Sequence, residues 1–231
     1  MNQNNYVIAT IKSWNIDYFN KVKETLPGVW HLVTDVQELS VEYLEKINPR
    51  YIFFPHWSWI VPSTILERWE CVCFHMADVP YGRGGSPLQN LIIRGHKETK
   101  LSALRMVNEL DAGPVYKKIS LSLDGSAQEI FNRALPLTFD LIKAIAIAEL
   151  TPQEQIGDVV LFKRRTPAQS ELPSSGELTK VYDHIRMLDA ETYPKAFLMY
   201  GDFKLEFEHA KLNEYGQLTA QVKFIANEQS K

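Results

Sequence analysis

Short apolar runs alternate with segments of helical spacing along the first part of the chain. Runs rich in β-branched and aromatic residues lie at 6–11, 30–34, 51–54 and 71–75, with helical spacing in the gaps between them. The runs at 51–54 and 71–75 are apolar without alternation, which is typical of strands covered on both faces. The rhythm therefore predicts an α/β fold, in which a mostly parallel sheet carries helices on both faces.

A glycine-rich segment follows the fourth predicted strand. It contains Gly82, Gly84 and Gly85, and Pro87 is well placed to open the helix that comes next. In open α/β sheets, ligands bind at the carboxyl ends of the strands. We therefore expect residues 76–86 to form a loop that borders a ligand site, where glycine lets the backbone approach the ligand.

His75 and Asp111 are the candidate catalytic side chains. His75 ends the fourth predicted strand, and Asp111 lies in a Leu-Asp-Ala-Gly turn after a later strand, so we expect them to meet across one crevice. A histidine with a carboxylate partner is a general-base unit. Taken alone, however, a strand-end histidine is commonly only hydrogen-bonded, and such a turn is commonly only a turn. The residues by themselves leave the function open.

The second half of the chain predicts a linker and a small β-rich tail. Residues 166–177 hold prolines, serines and a glycine in loose array, as linkers do. A helix and three β-rich runs separated by turns follow, which predicts a β-meander. The expected division is a catalytic domain at 1–165, a linker at 166–177 and a small C-terminal α+β region at 178–231.

Charge and cysteine content argue against several classes of protein. The net charge is -3 and the basic residues are scattered, whereas a nucleic-acid binder usually has a basic face, so we expect no nucleic-acid partner. Cys71 and Cys73 are too close in sequence for an easy disulfide and lack a second ligand cluster, so we predict no metal. The polar residues 1–5 lack a signal-peptide core, and no apolar run is long enough for a membrane span. We therefore predict a cytoplasmic protein without a membrane partner.

Several motifs together resemble the catalytic core of a known family. They are Cys73-Phe74-His75, Val79-Pro80, Arg83-Gly84, Pro87, Gly95-His96-Lys97-Glu98-Thr99 and Leu110-Asp111-Ala112-Gly113. Their order and spacing resemble those of the folate-dependent formyltransferases, which include methionyl-tRNA, glycinamide ribonucleotide and sugar N-formyltransferases. Weaker matches extend the resemblance over about residues 49–200. The resemblance implies a Rossmann-like catalytic domain, 10-formyltetrahydrofolate as the formyl donor and an amine as the acceptor.

The resemblance also implies a role for each matched position. His75 would be the catalytic histidine, Asp111 the catalytic aspartate, and Cys73 would occupy the third catalytic position. The pterin ring of the folate would contact Trp57, Ser58, Ile60, Asn108, Glu109, Leu110 and Asp111. The acceptor substrate would contact Arg83, Gly84 and Gly85.

Cys73 departs from the family pattern, which has asparagine at this position. The family's amide holds the formyl oxygen as it gains negative charge, and losing one such donor costs about 3 kcal/mol of barrier. A thiol is a poor donor. The alternatives are another donor, a slow enzyme, or a non-catalytic or altered-chemistry homologue that binds folate or sugar. Two roles for the Cys73 thiol are open: a nucleophile beside His75, or a buried and inert group.

The layout after the linker favours a sugar acceptor. The tail contains Glu206, Glu208 and Glu214 and is not basic, which disfavours tRNA. A purine-pathway enzyme is expected to lack this tail, and a formyl-folate hydrolase is expected to carry an additional N-terminal domain. A catalytic domain with a short β-rich tail resembles the sugar N-formyltransferases. We therefore predict a nucleotide-linked amino sugar as the acceptor, a place in glycan biosynthesis and a homodimer.

Overall fold

The chain is organised in two compact units in a computed structural model that describes residues 4–191 and 193–226. The sheet unit comprises residues 4–83, 100–121 and 134–161, and the second unit comprises residues 84–99, 122–133, 162–191 and 193–226. Each unit combines segments that are distant in sequence. Residues 1–3 of the polar start, and residues 227–231 of the predicted C-terminal region, lie outside the described residues.

The described residues form strands and helices in an order close to the predicted one. The strands are β1 Asn5–Ala9, β2 Val29–Val33, β3 Tyr51–Phe54, β4 Cys71–His75, β5 Tyr81–Gly84, β6 Glu98–Arg105, β7 Val115–Ser122, β8 Val160–Phe162, β9 Ala196–Tyr200, β10 Phe203–Leu212 and β11 Leu218–Ala226. The helices are α1 Ser13–Val22, α2 Val41–Ile47, α3 Ser63–Leu66, α4 Pro87–Ile93, α5 Ala127–Ala148 and α6 Leu178–Arg186. None of the helices among the described residues combines the length and apolar character needed to cross a membrane.

The central sheet has six strands in the order β2-β1-β3-β4-β6-β7. Strands β1 to β4 pair in parallel, whereas β6 is antiparallel to β4, with Val72 opposite Arg105 and His75 opposite Ser102. The predicted fold class, a mostly parallel α/β sheet with a small β-rich tail, is confirmed.

Burial explains why the strands of the sheet unit read as unbroken apolar runs. All four residues of β3 are buried, and Val7, Ile8 and Ala9 of β1 are fully buried. The strands are therefore covered on both faces, which removes the alternation that one solvated face would impose. Helix α2 is capped at its start, because the Ser40 hydroxyl accepts a hydrogen bond from the Tyr43 amide at 3.1 Å.

Two segments of the predicted loops have regular structure. The glycine-rich segment contains the short strand β5, which pairs with β8. The predicted linker contains a 3₁₀ helix, Pro167–Ser170, and Glu171 forms a parallel bridge with Phe197 of β9. Strands β9, β10 and β11 form the predicted antiparallel meander, and β10 carries a bulge between Glu208 and Lys211.

Candidate functional site

His75 lies at the carboxyl end of β4 and is almost completely buried. Its Nε2 atom is 2.6 Å from the carbonyl oxygen of Gly82. A carbonyl oxygen can only accept, so Nε2 carries the proton and Nδ1 of the neutral ring holds the lone pair. The glycine-rich loop therefore determines which ring nitrogen is basic.

Asp111 reaches His75 from the loop that connects β6 to β7. The closest approach is 3.6 Å, between His75 Nδ1 and Asp111 Oδ2, and each side chain is at most 10% exposed. The loop is closed at its base, where the Arg105 amide donates to the Pro114 carbonyl at 2.9 Å. The structure thus brings together the two side chains that the sequence singled out.

The backbone of this turn is unusual at two positions. Asp111 has a φ of 53°, in the left-handed region that costs a non-glycine residue about 1 kcal/mol or more, although aspartate tolerates it better than most. Gly113 lies so close to the Arg105 carbonyl oxygen that a Cβ would clash with it. Glycine at position 113 is therefore a steric requirement of the turn.

Cys73 lies two residues before His75 on β4 and hence on the same face of the strand. Burial, and secondly the charge of Asp111, raise the pKa of its thiol well above the usual range. The protonated thiol is a weak nucleophile and a weak hydrogen-bond donor. These properties favour an inert thiol over a nucleophile at this position.

The segment after β3 contains three of the residues predicted to contact the pterin. Trp57 packs against the buried cluster that includes Phe54 and Val61, whereas Ile60 is 92% exposed. The buried Trp57 Nε1 atom has no hydrogen-bond partner among the described residues. Ser58, next to Trp57 in the chain, is exposed.

The remaining predicted pterin contacts precede Asp111 in the same turn. Asn108, Glu109 and Leu110 are exposed, and Leu110 is 67% exposed. They form the tip of the loop whose base is closed by Arg105 and Pro114. Their exposure leaves them accessible to a ligand.

The three residues predicted to contact the acceptor have other neighbours in the structure. Arg83 donates from Nε to the Gln155 side chain at 3.0 Å and lies 3.4 Å from Glu109. A Cβ on Gly84 would clash with the Phe162 carbonyl oxygen, and one on Gly85 with Arg164. These two glycines are therefore required by the close passage of the chain beside them.

Sequence reasoning missed Gln155 and a buried group in the sheet unit. Gln155 donates to the Asp111 carbonyl oxygen, and no motif points to it, since it lies 44 residues after Asp111. In the other group, Nδ2 of the fully buried Asn15 lies 3.1 Å from both Thr10 Oγ1 and His56 Nδ1. Burial, and secondly the charge of Lys12, lower the pKa of His56 to about 4. His56 is therefore neutral at pH 7.

The comparisons with known proteins point to one kind of transferase. Residues 167–225 match the family described as the methionyl-tRNA formyltransferase C-terminal domain. A solved methionyl-tRNA formyltransferase from Clostridium thermocellum is 46% identical, with a TM-score of 0.92 and coverage of 96% of this chain and 99% of that one. Methionyl-tRNA formyltransferase of Rickettsia felis is 29% identical over 170 residues, 71% of this chain and 55% of the relative. The chain thus spans about half the length of the curated relatives it matches.

The similarity to sugar formyltransferases is confined to the fold. A 4-N formyltransferase from Francisella tularensis has a TM-score of 0.68 and coverage of 98% of both chains, but only 13% identity. Two predictions are therefore wrong: the nucleotide-linked amino sugar as substrate and the exclusion of nucleic acid.

Two of the tail's acidic side chains are paired with lysines, which weakens the basis on which the tail's composition disfavoured tRNA. Glu206 pairs with Lys204 at 2.8 Å, and Glu208 pairs with Lys195 at 3.2 Å. Paired side chains contribute little net field to an approaching polyanion. The composition of the tail therefore does not discriminate between acceptors.

Proposed function

We propose, from the premise that the chain belongs to the folate-dependent formyltransferase family, that it formylates the amino group of methionyl-tRNA. The family is one of one-carbon transferases that take the formyl group from 10-formyltetrahydrofolate. Methionyl-tRNA is the acceptor named in the description of the 46% identical relative. The observation that carries the proposal is the buried His75–Asp111 pair, in a chain that covers 99% of that relative.

The described residues fit the formyl donor. A pterin ring carries hydrogen-bond acceptors and two apolar faces, and the segment after β3 offers an unpaired indole N–H at Trp57 and an exposed Ile60. Trp57, Ser58, Ile60 and the 108–111 turn would hold the donor. When bound, the donor supplies the formyl carbon that the acceptor amine attacks.

The chain's own contribution is to hold and move a proton at His75. Because Nε2 donates to Gly82, the basic position of the ring is Nδ1, which faces the Asp111 carboxylate. An amine that attacks the formyl carbon must lose a proton, which Nδ1 would accept. As the bond between the formyl carbon and N10 of the donor breaks, this proton would pass to N10 and tetrahydrofolate would leave. Asp111 then stabilises the positive charge on the ring. Both ring nitrogens of the protonated histidine have an acceptor oxygen as neighbour.

The cellular location belongs to the same proposal. Cys71 and Cys73 are unpaired, and burial, followed by the nearby charge of Glu70, raises the pKa of Cys71 to about 12. Free thiols persist in a reducing compartment. We place the enzyme in the cytoplasm, where charged tRNA and reduced folate are both present.

The test is direct formylation of methionyl-tRNA by the purified protein with 10-formyltetrahydrofolate. The expected result is formylmethionyl-tRNA on an acid gel with the wild type and none with His75→Ala. Calorimetric titration with 5-formyltetrahydrofolate, a stable analogue of the donor, provides the control for donor binding. A folded protein that binds the analogue but leaves methionyl-tRNA unmodified would overturn the acceptor. One that binds no folate would overturn the whole proposal.

A further inference from the structure

The turn that bears Asp111 is held by a side chain from a distant part of the chain. Gln155 Nε2 donates to the carbonyl oxygen of Asp111 at 2.8 Å and to that of Gly113 at 2.7 Å. A primary amide has two N–H groups, so this one nitrogen accounts for both contacts. One half-buried side chain thus joins the two ends of the Asp-Ala-Gly segment.

The other end of the Gln155 amide is also engaged. Its Oε1 accepts a hydrogen bond from Arg83 Nε at 3.0 Å, and Arg83 Nη1 lies 3.4 Å from Glu109. Carbonyl oxygens only accept and a guanidinium only donates, so these partners determine which way the amide points. Gln155 therefore contacts the turn at Asp111 and Gly113, and Arg83 approaches it at Glu109.

The turn needs such support because of its backbone conformation. Asp111 is a non-glycine residue with a φ of 53°, and such residues persist where surrounding contacts over-determine them. Rotation of this backbone would carry the carboxylate away from His75 Nδ1, at 3.6 Å in the structure. The direction of the Asp111 side chain thus depends on what holds its carbonyl.

We infer that Gln155 is a positioning residue. Its amide is held by Arg83 and orients the Asp111 carboxylate toward His75. The inference rests on the proposed function, since a proton-transfer pair gives this direction a chemical consequence. The inference also gives Arg83 a role, which is to hold the Gln155 amide. The sequence predicted instead that Arg83 contacts the acceptor. Gln155 acts through the turn and does not touch the reacting atoms.

The substitution that tests this role is Gln155→Glu. Glutamate has the same shape and still accepts from Arg83, but its carboxylate cannot donate to the carbonyls of Asp111 and Gly113. The matched control is Gln153→Glu, two residues earlier, because the exposed Gln153 side chain donates to the nearby Thr151 carbonyl at 3.3 Å and not to the turn. The two variants have the same change in charge and differ in the contact to the turn.

Two readouts are needed on the full chain. Gln155→Glu is expected to lower kcat about tenfold, with the KM for methionyl-tRNA within twofold of the wild type, as for a lost transition-state contact. Amide hydrogen exchange over residues 109–113 is expected to be about tenfold faster than in Gln153→Glu, without faster exchange in β1 or β3. Equal kcat and equal exchange in the two variants would overturn the inference, as would faster exchange throughout the sheet unit. If Gln155→Glu does not fold, Gln155→Met, which loses both donors without adding charge, takes the same two measurements.

The exchange readout also separates this inference from the proposed function, because it requires no turnover. If the wild type transferred no formyl group, the proposed function would fail. Faster exchange at residues 109–113 in Gln155→Glu would still support the contact between Gln155 and the turn. If the wild type were active and exchange did not change, the proposed function would stand and the positioning role would fall.

Discussion

Among the described residues, each of the two units contains a histidine–aspartate pair, and the two pairs have the same separation. His75 Nδ1 lies 3.6 Å from Asp111 Oδ2 in the sheet unit, and His209 Nδ1 lies 3.6 Å from Asp189 Oδ2 in the second unit. Each pair also includes one residue in the left-handed region, Asp111 with a φ of 53° and His209 with a φ of 54°. Distance and backbone conformation therefore do not distinguish them.

Burial and the remaining partners separate the two pairs. The His75 side chain is 8% exposed and the His209 side chain is 60% exposed. The Asp189 carboxylate accepts from Lys195 Nζ and from the His209 amide, both at 2.7 Å. The second pair is thus a structural junction of the small sheet, while in the first pair the histidine ring is buried and its tautomer is set by Gly82. A carboxylate near an imidazole signals catalysis only with those additional features.

The largest expected effect is on the histidines. His75→Ala should lower kcat/KM for formyl transfer about a thousandfold, because it removes the general base. His209→Ala, the matched control, should stay within twofold of the wild type. Circular dichroism of both variants verifies that they are folded. Similar losses in the two variants would contradict the distinction between the pairs.

The next largest effect is expected at Asp111. Asp111→Asn should lower kcat about a hundredfold, because the amide cannot stabilise the protonated His75 ring as a carboxylate does. Asparagine tolerates the left-handed conformation, so the turn is expected to survive. Single-turnover formyl transfer measures the effect. A normal rate in this variant would remove Asp111 from the catalytic pair.

The corresponding change in the second pair should alter stability and leave catalysis unchanged. Asp189→Asn is expected to lower the free energy of unfolding by about 2 kcal/mol, since it removes the shorter of the two ion pairs that the partly buried Lys195 makes with Asp189 and Glu208. Urea denaturation measures this loss, and the initial rate at low temperature should match the wild type. A reduced rate at unchanged stability would assign the second pair a functional role.

The smallest expected effect concerns the cysteine beside the first pair. Cys73→Asn should raise kcat about tenfold, since the amide adds a donor where the thiol is a weak one. Cys73→Ala should remain near the wild-type rate, because a protonated thiol contributes little. Initial rates of formyl transfer decide the matter. Loss of activity in Cys73→Ala would instead identify the thiol as a nucleophile.

Much of the sheet could be predicted because its signal is local. The bounds of β3 and β4 match the apolar runs, since strands buried on both faces leave no ambiguity of pattern. His75 was placed at a strand end for the same reason. The orientation of β6 was not predictable, because an apolar strand reads the same in both directions.

The orientation of β6 changes how the site is assembled. In an antiparallel β6, Arg105 at its carboxyl end lies opposite Val72, near the start of β4 and away from His75. Asp111 reaches His75 because the 106–114 segment turns back, and not because two strand ends coincide. The sequence therefore predicts the contact between His75 and Asp111 correctly, but it does not reveal the path of the chain that brings them together.

The sequence by itself determined the α/β class, the strand that ends at His75, the turn that bears Asp111 and the resemblance to formyltransferases, because these depend on short-range patterns of residue type. Only the tertiary structure decided that Nε2 of His75 donates to Gly82, that Gln155 holds the Asp111 turn from 44 residues away, and that the similar pair at His209 is structural. Hydrogen bonds between distant segments, and the burial that strengthens them, exist only once the chain is folded.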